Sequence, residues 1–507
     1  MPPQSYFDLA AMPASVEEVV VSGLDRTHES IVKKQFVGLV KSQNLRDLFH
    51  NVKEAKERLV KLGVFKSVYA VVDVSGDSLK PDAYKITFKV VEKRFVTARM
   101  SMTHGTDGVT KACGNVRLNN FARHAEFADV DVEIGSNQMV SKFATISKPL
   151  ENNPYVRVSI GGTEGNWDHY WAKFLRHERS VFTEVQAESS FGLHKFQWDG
   201  IWRETEVKDH TAPLSVLKES GSALKTSLRH VFESDARPDL VFPDSGYLFK
   251  VSQEMASVTP GSQTGHYTVN GNASSSATGP LIDRGLQLKL ESLLQKPFRL
   301  CDWLVGEVTF SSGLVHSLTR HPVHISDRFF LGGPLELRGF QWRTVSPSEP
   351  LLVPTIQTLG NPDINTSDNA QLIPPLVPSN STPSPIGADA FWLTGVHLYT
   401  PLPYWGAEEG SLAAQFRLHS FFLTGSTLER PIQNLLDSHS SSSSASEFRH
   451  CLLNELRGKP RSVVGVGLVF RFAGILRMEL NYCIPLKSQP GDQMKPGFAF
   501  GFGMYYM

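Results

Sequence analysis

The sequence predicts an all-β transmembrane barrel of about sixteen antiparallel strands, preceded by one small α/β domain. Three observations carry this. Helical periodicity is confined to the first hundred residues or so. Beyond Phe95 the chain breaks into segments of eight to twelve residues that alternate apolar and polar character, divided by Gly, Pro, Asn, Asp or Ser. No stretch reaches the roughly 18 apolar residues that a spanning helix needs. The most apolar run, Val463 to Phe472, is broken by two Gly and one Arg.

In 507 residues, 51 Lys plus Arg balance 51 Asp plus Glu, so no global field points to nucleic acid or to an anionic surface. Mean hydropathy is −0.19. A barrel whose strands alternate between lipid and lumen keeps this value low, so composition fits a barrel and a soluble protein alike. The four cysteines, Cys113, Cys301, Cys451 and Cys483, are scattered without zinc spacing and read as isolated thiols. The opening Met1-Pro-Pro-Gln-Ser-Tyr has neither a basic region leading into an apolar core nor an Arg-rich amphipathic pattern, so a secretory leader is not expected.

The boundaries read as a tail over residues 1–16, an α/β domain over 17–94 and a barrel over 95–507. Glu17 to Val21 forms a short strand, turned at Gly23 to Asp25. Thr27 is placed to cap a helix running to Gly38, with Ile31, Phe36 and Leu39 inward. A second helix spans Asn44 to Leu62. Its stripe of Leu45, Leu48, Phe49, Val52, Ala55, Leu59 and Leu62 recurs at three- and four-residue steps, and Gly63 stops it. Two alternating strands follow: Val68, Ala70, Val72 and Val74 share one face, then Ile86, Phe88 and Val90.

Sixteen alternating segments fall between Phe95 and Met507, with the region from Ser180 to Phe232 ambiguous by one. Ala128, Val130, Val132 and Ile134 alternate with Asp129, Asp131 and Glu133. Near the C-terminus Leu476, Met478, Leu480 and Tyr482 alternate with Arg477, Glu479 and Asn481. A charged face this regular suits a wet lumen. It also suits a large soluble all-β protein, and periodicity alone leaves both readings open. Inserts at 346–386, rich in Pro, Ser and Asn, and at 434–459, with a run of Ser, read as disordered surface loops.

Catalytic constellations are missing: no G-x-S-x-G, H-E-x-x-H, Walker loop or dinucleotide fingerprint occurs. His316, His321 and His324 cluster without acidic or Cys partners at ligand spacing. An enzyme is disfavoured. Two segments stand out instead. Asp327-Arg328-Phe329-Phe330-Leu331-Gly332-Gly333-Pro334-Leu335-Glu336 is a tight, backbone-dominated excursion with Leu337-Arg338-Gly339-Phe340 at its tip. Folded into a lumen, Arg338 would need carboxylates from the wall, and Gly339 would permit close approach. An ordinary hairpin loop carrying an arginine remains the alternative. The second segment is Gly497 to Met507, with Phe498, Phe500, Phe502, Met504 and Tyr506 on one face and Ala499, Gly501 and Gly503 on the other. Each Gly in a strand costs about 0.5–1 kcal/mol relative to Ala, so this strand pairs weakly.

These residues resemble a known family. Asp327 to Phe340 is similar to the sixth-loop signature of the outer-membrane assembly superfamily that joins polypeptide-transport-associated (POTRA) domains to a barrel. The strand–helix–helix–strand–strand unit, with Leu62-Gly63-Val64-Phe65 after its second helix, resembles a POTRA domain. Gly395 to Pro403 and Glu479 to Cys483 resemble the mitochondrial branch, the central barrel subunit of the sorting and assembly machinery.

The resemblance implies an insertase of the mitochondrial outer membrane with its POTRA domain in the intermembrane space, working without cofactor or metal. It implies a lateral gate between the first and last barrel strands, near Arg99 and Phe502, and a steadying role for Arg338. The family's clients carry a final-strand signal that this chain itself matches at Lys495, Gly497, Phe500 and Phe502, with Gly501 and Gly503 in the same strand. Implied partners are β-barrel precursors, peripheral metaxin-like subunits, membrane lipid and an inner-membrane contact-site complex, but no nucleic acid. A pore for polypeptides or solutes is the alternative. The two inserts and a short N-terminus depart from the family pattern, which leaves loop contacts and partner docking open.

Overall fold

The computed structural model describes residues 12–74, 82–104, 110–135, 139–208, 212–260, 285–319, 321–354, 376–378, 382–403, 411–431, 459–472 and 476–503. In the N-terminal domain, β1 (Ser15–Ser22), β2 (Phe65–Val74) and β3 (Ala83–Glu92) form a sheet in the order β1-β3-β2, with β1 parallel to β3. Helices α1 (Glu29–Lys33) and α2 (Leu45–Lys61) contribute Ile31, Leu48, Val52, Ala55 and Leu59 to a core with Val68, Ile86, Phe88 and Val90. Asn44 caps α2 by accepting the Asp47 N–H at 2.8 Å.

Three expectations need correction here. Phe49, read as part of the buried stripe, is 54% exposed, because it sits at the margin of a face centred on Leu48, Val52, Ala55 and Leu59. The first helix is short: α1 gives way to 3₁₀ turns at Lys34–Phe36 and Leu39–Lys41, and its cap is His28. Thr27 is held in the preceding turn, its N–H donating to Glu92 at 2.9 Å and its hydroxyl accepting from Asn120 at 2.9 Å.

The barrel begins with β4 (Val96–His104), β5 (Thr110–Asn119), β6 (Phe127–Gly135), β7 (Val140–Pro149), β8 (Val156–His169), β9 (Phe174–Glu188) and β10 (Leu193–Val207). After a short helix, α3 (Leu214–Lys218), come β11 (Gly221–Asp235), β12 (Leu248–Pro260), β13 (Gly285–Cys301) and β14 (Leu304–Ser317). A long connection holds two small ladders, β15 (Ser348–Glu349) with β18 (Ser384–Pro385) and β16 (Leu352–Pro354) with β17 (Leu376–Pro378). The insert read as disordered is therefore ordered at both ends. The Ser-rich run lies outside the described residues. The last strands are β19 (Ala390–Thr400), β20 (Phe416–Leu428), β21 (Arg461–Phe472), β22 (Leu476–Lys487) and β23 (Gly497–Gly503).

One antiparallel sheet of sixteen strands results, each paired with its neighbours along the chain and β14 joined to β19. The ambiguous region resolves as β9, β10 and β11. Alternation works as the charge pattern requires. Asp129 and Asp131 on β6 accept from Arg117 and Asn115, both at 2.6 Å, while Val130 and Ile134 face outward. Because β3 leads directly into β4, the turns after β5, β7, β9 and β11 lie on the rim nearest the N-terminal domain.

That domain is seated on this rim. Gln35 donates to the Glu151 carbonyl at 2.7 Å, Arg58 to the Asn152 carbonyl at 2.6 Å, and Lys61 pairs with Glu188 at 2.6 Å. Ala125 and Phe127 join the domain's own core. Hydrogen bonds from Lys34 and Lys148 hold the Glu151 carboxyl at a pKa of about 2.

Candidate functional site: the lumen loop and the terminal strand

The connection after β14 turns back inside the barrel. Phe329 and Ala388 exchange two backbone hydrogen bonds of 2.8 Å, and Leu331 and Val345 exchange another pair at 3.1 and 3.0 Å, making a neck. Beyond it the chain doubles back sharply. Gly332 and Gly333 have φ of +111° and +117°, and a side chain would meet the Gln341 carbonyl at 2.4 Å or the Trp342 ring at 2.4 Å. Pro334 is half-buried in this turn.

Two ionic anchors tie the loop to the wall. At its root Asp327 accepts from Arg203 at 2.9 Å and Lys225 at 2.7 Å; Lys225 also pairs with Glu254 at 2.5 Å. These partners come from β10, β11 and β12. Neighbouring Arg328 donates to the Val323 carbonyl at 2.9 Å and lies 3.8 Å from Asp389, closing the neck. At the tip Arg338 has no solvent exposure. It donates to Glu479 at 2.8 Å and stacks over the Phe421 ring at 4.9 Å. Glu479 is shared with Arg477 at 2.6 Å and with Asn481 at 2.8 Å, and Arg477 reaches the Tyr399 hydroxyl at 2.6 Å. Strands β20 and β22 supply this second anchor, with Tyr399 added from β19, and β13 and β14 lie between the two anchors in the sheet. The loop is thus braced against two separate parts of the wall.

Around the tip, Leu337 and Phe340 pack on Phe421, Leu423, Val463 and Cys483. Gly339 has φ of +79°, and a Cβ there would stand 3.1 Å from Val463 and 3.2 Å from Pro485. Its carbonyl accepts the Lys495 N–H at 2.8 Å, and the Gln341 N–H donates to the Gln493 carbonyl at 2.9 Å, so Phe340 bridges to Met494 as a strand partner. The loop tip is therefore hydrogen-bonded to the residues that lead into β23.

β23 pairs along β22, with Gly497 opposite Cys483, Phe500 opposite Leu480, Gly501 opposite Glu479, Phe502 opposite Met478 and Gly503 opposite Arg477. The small residues Ala499, Gly501 and Gly503 are thus the strand partners of the anchor residues Asn481, Glu479 and Arg477. On the other face Phe498 and Phe500 are exposed. Among the described residues β4 and β23 are the two ends of the ladder, and no pairing joins them.

The fold and site define a β-barrel of outer-membrane type with one POTRA domain and a loop folded into its lumen. The chain belongs to the Omp85 superfamily, whose domain matches residues 171–505. It is 28% identical to the "Sorting and assembly machinery component 50 homolog" of Bos taurus, over 97% of this chain and 90% of that protein. It is 27% identical to the "SAM50-like protein CG7639" of Drosophila melanogaster, over 99% of this chain and 97% of that protein. Among solved structures it is similar to BamA from Haemophilus ducreyi lacking POTRA domains 1–3, at 13% identity and a TM-score of 0.67, covering 96% of this chain and 84% of that one.

Sequence reasoning located the loop and its arginine but not their partners. Arg477, Glu479 and Asn481 were visible as a polar face, though nothing in spacing linked Glu479 to Arg338 across 141 positions. Arg203, Lys225 and Glu254 carried no signal of their own.

Proposed function

We propose that this protein folds and inserts β-barrel precursors into the mitochondrial outer membrane by strand pairing at a gate between β4 and β23. The observation that carries this reading is that, among the described residues, the two end strands of the barrel sheet, β4 and β23, are not paired with each other. A precursor strand in hydrocarbon has unpaired amides, each costing several kcal/mol, roughly. An edge beside the lipid offers that strand its missing partners, and exchange of hydrogen bonds along it is strand addition. A diffusion pore needs neither a POTRA domain nor a braced loop across its lumen.

In this reading the POTRA domain faces the intermembrane space, Arg338 holds the lumen loop, and the loop's bonds to residues 493–495 set the position of β23. Precursor chains, lipid, metaxin-like peripheral subunits and an inner-membrane contact-site complex are the partners. No covalent step is required. One cysteine on β4 and one on β23, oxidised to a crosslink, should stop precursor release while leaving the barrel folded. Insertion at full rate by the crosslinked form would refute the lateral gate.

A further inference from the structure

The turn between β11 and β12, residues 236–247, is long for the rim nearest the POTRA domain, where turns in barrels of this kind are short. It is folded inward. At its base Ala236 N–H donates to the Tyr247 carbonyl at 2.8 Å, and Arg237 holds Asp235 and Gln295. At its tip Asp239 accepts the N–H groups of Val241 and Phe242 at 2.8 and 3.2 Å, which fixes a tight bend. The Phe242 ring then meets two guanidinium groups, Arg471 at 4.6 Å and Arg417 at 4.9 Å from its centroid. Asp239 also pairs with Arg471, and Asp244 with Arg299.

Arg417 and Arg471 belong to β20 and β21, far from β11 and β12 in the sheet, so the turn reaches across the mouth. Beside the ring lies a cavity of about 630 Å³, lined by Trp303, Tyr399 and Arg477 as well as the two arginines. Arg477 and Tyr399 are the same residues that support Glu479 beneath Arg338. The mouth therefore adjoins the anchor of the lumen loop.

The charges make this contact informative. Arg417 is held by two backbone carbonyls, of Ala414 and Phe416 at 3.3 and 3.0 Å. Among the described contacts, the carboxylate at Arg471 comes from Asp239 in the turn itself. Withdrawing the turn would leave two cations lining an open cavity. That arrangement takes up an aromatic ring. Resting on the insertase reading above, we propose that Arg417 and Arg471 form a docking seat for an aromatic side chain of an entering polypeptide, which the chain's own Phe242 fills at rest. Strands bound for a barrel carry many such side chains, as Phe498 and Phe500 do here.

The test uses the full chain in detergent micelles and a fluorescein-labelled peptide of residues 236–247, followed by anisotropy. Phe242→Ala should bind this peptide at least tenfold more tightly than the unaltered chain, whose seat is filled. Alanine in place of the peptide's phenylalanine, or Arg417→Gln with Arg471→Gln in the Phe242→Ala chain, should remove the gain. Phe242→Leu keeps the apolar volume without a π face and should also bind, so it carries the test if the alanine variant does not fold. An unlabelled peptide of residues 496–507 should compete. Equal binding by the unaltered and Phe242→Ala chains, or binding unchanged without the arginines, overturns the seat. Failure of the competitor alone overturns its use by entering strands. A working seat in a chain that inserts no barrels would sink the insertase reading and leave the seat standing.

Discussion

Removing the arginine at the tip of the lumen loop tests the brace most sharply. Arg338 and Glu479 are both fully enclosed and meet at 2.8 Å. At an effective dielectric near 20 their gross attraction is about 6 kcal/mol, much of it offset by the loss of hydration on burial. Truncating one partner of such a pair costs about 3–5 kcal/mol when the other is left alone. Glu479 is not left alone, because Arg477 and Asn481 remain at 2.6 and 2.8 Å. The loss also includes the contact with Phe421, worth about 1–2 kcal/mol when desolvated. Arg338→Ala should therefore lower barrel stability by about 3 kcal/mol. A double-mutant cycle with Glu479→Gln, read from thermal unfolding in detergent, should give a coupling of about 1.5 kcal/mol or more. Additivity within about 0.5 kcal/mol would mean the contact does not hold the loop, and the reasoning fails. Arg338→Lys should recover little, since a point charge replaces the planar fork that also covers the ring.

Further outcomes follow from other contacts. Asp327→Asn leaves Arg203 without its carboxylate, costing about 3 kcal/mol at the loop root, and should speed tryptic cleavage after Arg328 and Arg343 severalfold. Gly467→Ala places a Cβ 2.2 Å from the Asn481 amide oxygen and 2.3 Å from the Leu480 carbonyl, and should lower the unfolding temperature by an amount equivalent to about 1–3 kcal/mol. Gly114→Ala meets nothing within 4 Å and should not. The carboxyl of Glu151 titrates at about 2, below its ordinary value of 4.5, because Lys34 and Lys148 donate to it. Its contribution to POTRA seating is complete above about pH 4.5 and disappears as pH falls through about 2. Hydrogen exchange in residues 150–155 should stay slow from pH 7 to 5 and rise at lower pH relative to a Lys34→Gln control.

Much of the architecture was legible because its causes are local. A change in period from three or four to two marks the passage from α2 to the barrel, and turn residues divide the strands. The positions of Arg338 and Gly339 were legible too, since a Gly-Gly-Pro run has few uses other than a sharp reversal. What was not legible depends on closure. Whether Glu479 or some other wall carboxylate meets Arg338 is set by how sixteen strands are staggered around the barrel, a property of the whole sheet. The same holds for Phe242, an unremarkable turn residue until β20 and β21 curl round to meet it. Thr27 and Phe49 failed for a smaller reason: neighbours from β3 and the barrel rim decided which turn residue caps and which side of α2 is covered.

On the reading proposed above, this barrel lends an edge to other barrels. Purified chain in liposomes, offered an unfolded β-barrel precursor in urea, tests it directly through the fraction that becomes protease-resistant with time. Insertion should run at least tenfold faster than in protein-free liposomes and return to the protein-free rate when β4 and β23 are crosslinked. Equal rates with and without the chain would contradict it.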